Sequence, residues 1–227
     1  MKTKLITVIL LLFVLVGYTQ ECNSYYPMKE GLSAQITSYD KKGKTAAVVD
    51  YQISDVREES GQKVAKITST VKDEKGELIA TSNYDVTCSG DVVSIDFKSM
   101  MSPQLIEQYK DMDFEITGNN IEIPNNLNVG DKLPDSNMEM TMKMAGMNMK
   151  MNVAMKERSV TGKESVTTPA GTFDCVVITY TSEFKMGMTR NGTAKQWLSK
   201  GVGMVKQEDY NDNGKLTSSS VLTAFSK

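Results

Sequence analysis

Thioethers are the chemically distinctive groups in this sequence. Sixteen of its 227 residues are methionine, and eight of them fall between Met138 and Met155. A thioether is unbranched, soft and polarisable. It can fill a core, repack around varied apolar ligands or bind Cu(I). The spacing narrows the geometry. With Ala145-Gly146 as a two-residue hairpin loop, Met144 opposes Met147, Met142 opposes Met149, Met140 opposes Met151 and Met138 opposes Val153. Directly opposed residues share one side of a sheet. Met138, Met140, Met142, Met144, Met147, Met149 and Met151 then form one thioether face, the candidate ligand-lining surface. Glu139, Thr141, Lys143, Asn148, Lys150 and Asn152 take the solvent face. Met186 and Met188 add a second Met-x-Met pair. Three readings of the face stand open. It is packed core, or an adaptable surface for a lipid, an acyl chain or a partner's apolar segment, or a soft-metal site. For the last, Met140, Met142, Met149 and Met151 are the candidate ligands. An oxidant sink is the redox variant of that reading.

Other chemistry is excluded type by type. The chain has no histidine, which removes Ser-His-Asp and Cys-His catalysis and every His-ligated metal site. It has no Gly-x-Ser-x-Gly elbow, no Walker loop and no Gly-x-Gly-x-x-Gly. Ser-x-x-Lys recurs, as at Ser38 to Lys41 and Ser182 to Lys185, but on strand and turn patterns rather than on a helix face. Asp111, Asp113 and Glu115 read as a solvated strand face beside inward Met112, Phe114 and Ile116. Asn211-Asp212-Asn213-Gly214 lacks the spacing of a calcium loop and reads as a turn. No nucleophile–base pair can be named, so no enzyme is expected, and nothing calls for a cofactor. With 26 basic and 28 acidic residues the chain has no basic excess for nucleic acid.

The N-terminus reads as an address. Lys2 and Lys4 precede an apolar run from Leu5 to Val16, too short for a membrane span and right for a secretory h-region. Segment 1–19 is the expected signal peptide, with the cut before Gln20 and one domain over 20–227. The destination is the periplasm or the extracellular space. Thr19-Gln20-Glu21 lacks the small apolar residues of a lipobox, which disfavours a lipid anchor at Cys22. Export allows disulfides. Strand parity puts Cys88 on an inward face with Leu78, Tyr84 and Val86. In a strand expected over 172–188 it puts Cys175 opposite the inward set Val176, Ile178, Tyr180, Phe184 and Met186. Cys22–Cys88 is therefore the favoured pair, with three unpaired thiols as the alternative.

Strands must position these groups. Val49-x-Tyr51-x-Ile53, Ala65-x-Ile67, Val93-x-Ile95 and Phe114-x-Ile116 alternate with period two. Asp40-Lys41-Lys42-Gly43, Asp73-Glu74-Lys75-Gly76 and Asn211-Asp212-Asn213-Gly214 share one turn design, an Asx first and a glycine fourth. Gly118-Asn119 reads as a further hairpin loop, and Ser199-Lys200-Gly201 as a turn. One short helix is expected at 103–110, capped by Ser102 and opened by Pro103. Pro124 to Pro134 reads as an irregular crossover. The fold class is all-β and antiparallel.

Glu164-Ser165-Val166-Thr167-Thr168-Pro169-Ala170-Gly171-Thr172-Phe173-Asp174-Cys175 carries a resemblance. With it go Lys195-Gln196-Trp197 and Gly201-Val202-Gly203-Met204-Val205-Lys206-Gln207-Glu208. Together they resemble a family of exported bacterial proteins grouped as a domain of unknown function, sometimes called TapB-like, over about Tyr26 to Phe225. That family is similar in fold to the Lol-type lipoprotein carriers, curved half-barrels with an apolar concave face. The resemblance implies a curved antiparallel sheet or half-barrel and brings no catalytic residues. The expected function is a non-enzymatic envelope protein holding a hydrophobic ligand or a lipidated partner. A soft-metal binder or oxidant sink is one alternative, and a structural or surface-assembly protein is another.

Overall fold

The computed structural model describes residues 25–96, 113–144 and 147–226, with side chains except at 113–114, 143–144 and 147–148. Segment 1–19, Cys22, the helix expected at 103–110 and the Ala145-Gly146 loop lie outside the described residues. Among the described residues every regular element is a β-strand. The first seven are β1 (Ser33–Asp40), β2 (Thr45–Glu59), β3 (Gln62–Asp73), β4 (Leu78–Ser89), β5 (Val92–Ile95), β6 (Asp113–Gly118) and β7 (Ile121–Pro124). The rest are β8 (Ser136–Met144), β9 (Met147–Thr168), β10 (Gly171–Met186), β11 (Met188–Ser199), β12 (Gly203–Asn211) and β13 (Leu216–Ser226).

Local chemistry sets the hairpins. The side chain of Asp40 accepts the backbone N–H groups of Lys42 and Lys44 at 2.8 and 2.9 Å. Asp73 accepts those of Lys75 and Glu77, and Asn211 those of Asn213 and Lys215. Gly43, Gly76 and Gly214 follow in the left-handed region, at φ of 76°, 84° and 70°. The two N–H bonds hold the Asp40 carboxyl below its usual range.

All strands join one antiparallel sheet, in the order β6-β8-β9-β10-β11-β12-β13-β1-β2-β3-β4-β5-β7. Its two edges, β6 and β7, are consecutive in the chain, with only Asn119 and Asn120 between them. Laid flat at about 4.8 Å per strand, the edges would lie roughly 57 Å apart. Three residues of chain reach at most about 11 Å. The sheet must therefore curl until its edges approach at that end. It stays open, because β6 pairs β8 and β7 pairs β5. Gly118-Asn119 is thus not the hairpin loop its sequence implies; it has turn chemistry but links opposite edges. Asn119 fastens the link. Its side-chain amide donates to the Asp135 carbonyl at 2.7 Å, and its side-chain oxygen accepts the Asn137 N–H at 2.7 Å.

The curl gathers inward residues from distant strands into one core. Ile53, Ile67, Tyr84, Val86, Val93, Ile123, Val160, Ile178 and Leu198 all belong to it. Leu32 and Met28 from the segment before β1 join it, as do Leu127 and Leu133 from the loop between β7 and β8. Two expectations need correction. Leu78 is 62% exposed rather than inward, because β4 shifts register near its start and runs past the core. The run expected as one strand from 172 to 188 turns back at Gly187, so Met188 opens β11.

The outer face carries a smaller cluster of Cys175, Val177, Trp197 and Val205. Trp197 is the single tryptophan. The Lys195 and Lys206 ammonium groups lie 4.5 and 4.7 Å from its ring centroid. Its indole N–H donates to Glu164 at 2.8 Å, and Lys195 donates to the same carboxylate. Lys195 first, and then the indole, hold the Glu164 carboxyl below its ordinary 4.5. A depressed carboxyl contributes stability above its unfolded value and loses it as pH falls through the folded one. Tryptophan emission should therefore shift on acidification with a midpoint below 4.5. Glu164→Gln should abolish that step; a step that persists in the variant would assign it elsewhere.

Cys175 is free and buried, while Cys88 is disulfide-bonded on the inner face. A Cys88–Cys175 bond is thereby excluded, as strand parity requires. Cys22, the candidate partner, lies outside the described residues. Burial, with Asp174 and Glu164 nearby, pushes the Cys175 thiol up to about 11. It stays protonated and unreactive at neutral pH.

Candidate functional site

Beneath the curl lies a cavity of about 320 Å³. Its aliphatic wall includes Ala34 and Ile36 of β1, Ile53 of β2, Ile67 of β3, Ile95 of β5 and Ile121 and Ile123 of β7. Tyr26, Tyr51, Tyr84 and Tyr180 stand among them, and Met155, Leu198 and Met204 complete the far side. The polar lining groups besides tyrosine are Gln196, Gln207 and Arg158. Small-ligand pockets typically enclose about 300–1,000 Å³ with apolar walls and a few placed polar groups. This cavity has that character at the small end of the range.

Burial keeps the tyrosines neutral. It raises Tyr26 well above its ordinary value, with Tyr84 and Tyr51 adding to the shift, and it raises Tyr51, Tyr84 and Tyr180 as well. Their hydroxyls are therefore proton donors at any physiological pH. Gln196 donates to the Gln207 side-chain oxygen at 3.1 Å, and Gln207 donates to Asp209. These amides are occupied with each other and with Asp209, two residues along β12 from Gln207.

Arg158 reaches the cavity through an irregularity in β9. Glu157 adopts φ of 55°, and the pairing of β9 with β10 shifts there. Such a bulge resets which residues face inward. Met155 lines the cavity before it, and Arg158 after it. The Asp135 carboxylate accepts the Glu157 N–H at 2.8 Å and pins the bulge.

The methionine strands pair in the expected register. Met142 opposes Met149, Met140 opposes Met151 and Met138 opposes Val153. Glu139 and Lys150 lie on the opposite face as an ion pair at 2.9 Å. The side chains of Met144 and Met147 lie outside the described residues. Of the other candidates, Met138, Met140, Met142, Met149 and Met151, none lines the cavity. The methionine face continues the inner face of the sheet beyond Met155, toward the β6 edge. It also extends further than one hairpin. Met140, Met151, Met186 and Met188 are successive cross-strand partners through β8, β9, β10 and β11. The row runs from buried Met140 to Met188, which is 75% exposed. Met142 is buried. Met142→Lys would place an unpaired charge there and should cost about 2–4 kcal/mol in chemical denaturation. A loss under about 1 kcal/mol would mean that the lysine reaches water.

The cavity's charged residue, Arg158, is not legible in the sequence. Tyr51, Tyr84 and Tyr180 were readable as inward by parity, but no sequence signal marks the bulge that turns Arg158 in.

The family described as DUF3108-like matches residues 29–222. The chain belongs to the DUF3108-like family. The match spans all of β1 to β12 and most of β13, so the DUF3108-like unit is the curled sheet itself. Two solved structures resemble this DUF3108-like chain. One is a protein from Bacteroides fragilis, described as exported and as having a YmcC-like fold. It is 23% identical, with a TM-score of 0.71, over 91% of this chain and 100% of that one. The other, from Parabacteroides distasonis and described as a lipoprotein, is 24% identical with a TM-score of 0.71 and the same coverage. At such identities the likeness is one of fold. No curated protein matches the chain.

Proposed function

We propose that this DUF3108-like protein is an exported, non-catalytic envelope protein that holds a hydrophobic ligand, or the acyl group of a lipidated partner, inside its curled sheet. The observation that carries the reading is the cavity of about 320 Å³ with its aliphatic and tyrosine wall. A space that size amid well-packed strands forfeits contacts unless something fills it. Apolar burial at about 25 cal/mol per Å² is the driving force for that filling. The secretory pattern of segment 1–19 supports export. So do the relatives in fold, which are described as an exported protein and a lipoprotein. Native mass spectrometry of protein purified without detergent from its own cells tests the reading. Adducts that leave on denaturation and prove apolar on extraction are expected. A homogeneous apo mass, with no uptake of added long-chain compounds, would overturn it.

A second reading has its own observation. The Met140–Met151–Met186–Met188 row offers thioethers at graded exposure, as a soft-metal site or an oxidant sink requires. Stoichiometric Cu(I) binding that is lost on replacing Met186 and Met188 with leucine supports it. Binding that survives those changes, together with replacement of Met140, Met142, Met149 and Met151, contradicts it.

A further inference from the structure

We propose that the cavity's ligand is a single-chain anionic amphiphile whose charged head sits against Arg158. The inference rests on reading the cavity as a ligand site and names the chemical class of that ligand. Among the described residues Arg158 is the only charged side chain on the cavity wall, and it is 3% exposed. A guanidinium carries five N–H donors. The hydrogen bond it makes among the described residues is from Nη1 to the Pro134 carbonyl, at 2.8 Å, and it forms no ion pair there. Buried charges are ordinarily paired, because an isolated one loses its hydration without return. The carboxylates that feel it, Asp135 and Glu122, are not close enough to pair. Asp135 is already engaged with the Glu157 N–H. Desolvation outweighs their attraction and lowers the guanidinium's affinity for its proton. An anionic head would supply the missing partner in a charge-assisted, bidentate bond.

The placement suits an amphiphile. Arg158 and Tyr180 border the apolar cavity on one side and, on the other, a more open hollow of about 640 Å³, whose lining adds Lys132, Asp135, Glu157 and the hydroxyls of Ser159, Thr179 and Thr181. A head at that boundary keeps its charge beside polar groups while its chain extends among Tyr51, Tyr84 and Ile67. The neutral Tyr180 hydroxyl is a further donor beside it. The modest cavity volume favours one chain over a lipid with several.

Displacement of N-phenylnaphthylamine, a neutral apolar fluorophore, from the purified protein tests the inference. Dodecanoate, dodecyl phosphate and dodecanol serve as competitors below their micellar concentrations. Dodecanoate, dodecyl phosphate or both should compete at least about tenfold better than dodecanol. The better of the two assigns the head as carboxylate or phosphate. Arg158→Met should bring the three within about threefold of one another. Equal competition by all three in the unaltered protein would overturn the anionic assignment and leave the cavity reading intact. Failure of the fluorophore and of all three chains to bind would overturn both. The comparison on the unaltered protein decides the matter even where the variant does not fold.

Discussion

Gly118→Ala should unfold the protein at markedly lower denaturant, with a loss of about 3 kcal/mol or more. Gly118 sits at φ of 142°, a region that residues with a Cβ rarely adopt. A Cβ built there would lie 2.1 Å from the Asn137 carbonyl oxygen, which is backbone and cannot swing aside. The residue also stands where β6 passes to β7, between the two edges of the curled sheet. Displacing it loosens the Asn119 bonds to Asp135 and Asn137 that hold this closure. Gly214→Ala provides the contrast. Its φ is 70°, but no heavy atom lies within 4 Å of the added Cβ. It should cost only about 1 kcal/mol. Equal effects of the two changes would mean that the edge-to-edge link is not held as the structure shows.

Ala34→Phe should abolish uptake of an apolar fluorophore while leaving the fold intact. Ala34 lies on the cavity wall, with Tyr51 and Phe225 as its cross-strand partners. A phenyl group there projects into existing empty space rather than into packed side chains, so the usual overpacking cost of about 1–3 kcal/mol should be largely avoided. The added ring takes up the volume that a chain would occupy. Binding of N-phenylnaphthylamine should weaken by at least about tenfold, with the denaturation midpoint nearly unchanged. Unaltered binding in this variant would place the fluorophore elsewhere, with the exposed Met186–Met188 end of the sheet as the next candidate.

Sequence chemistry resolves this fold where the determinants are local. The Asx-and-glycine turns were readable because side chain and backbone bond each other within four residues. The methionine register followed from a two-residue loop and strict alternation. Long-range features were hidden. Gly118-Asn119 has the composition of a hairpin loop, and composition does not say which strands a turn connects. Met186-Gly187-Met188 keeps period two through a chain reversal, so the alternation concealed it. The Glu157 bulge inverts parity with no residue-level signature, and Arg158 is therefore invisible until β9 is seen against β10. The cavity belongs to the curl of the whole sheet, so apolar spacing along one hairpin drew attention to the methionines. The walls are made instead by tyrosines and isoleucines from strands far apart in the chain.

The space under the curled sheet exists to be occupied. Crystals of the protein purified from its own cells, or grown with dodecanoate, provide the direct measurement. One elongated stretch of difference density is expected inside the cavity, running from among Tyr51, Ile67 and Tyr84 to the Arg158 guanidinium. A cavity closed by its own side chains or filled only with water would contradict it, as would density confined to the methionine row.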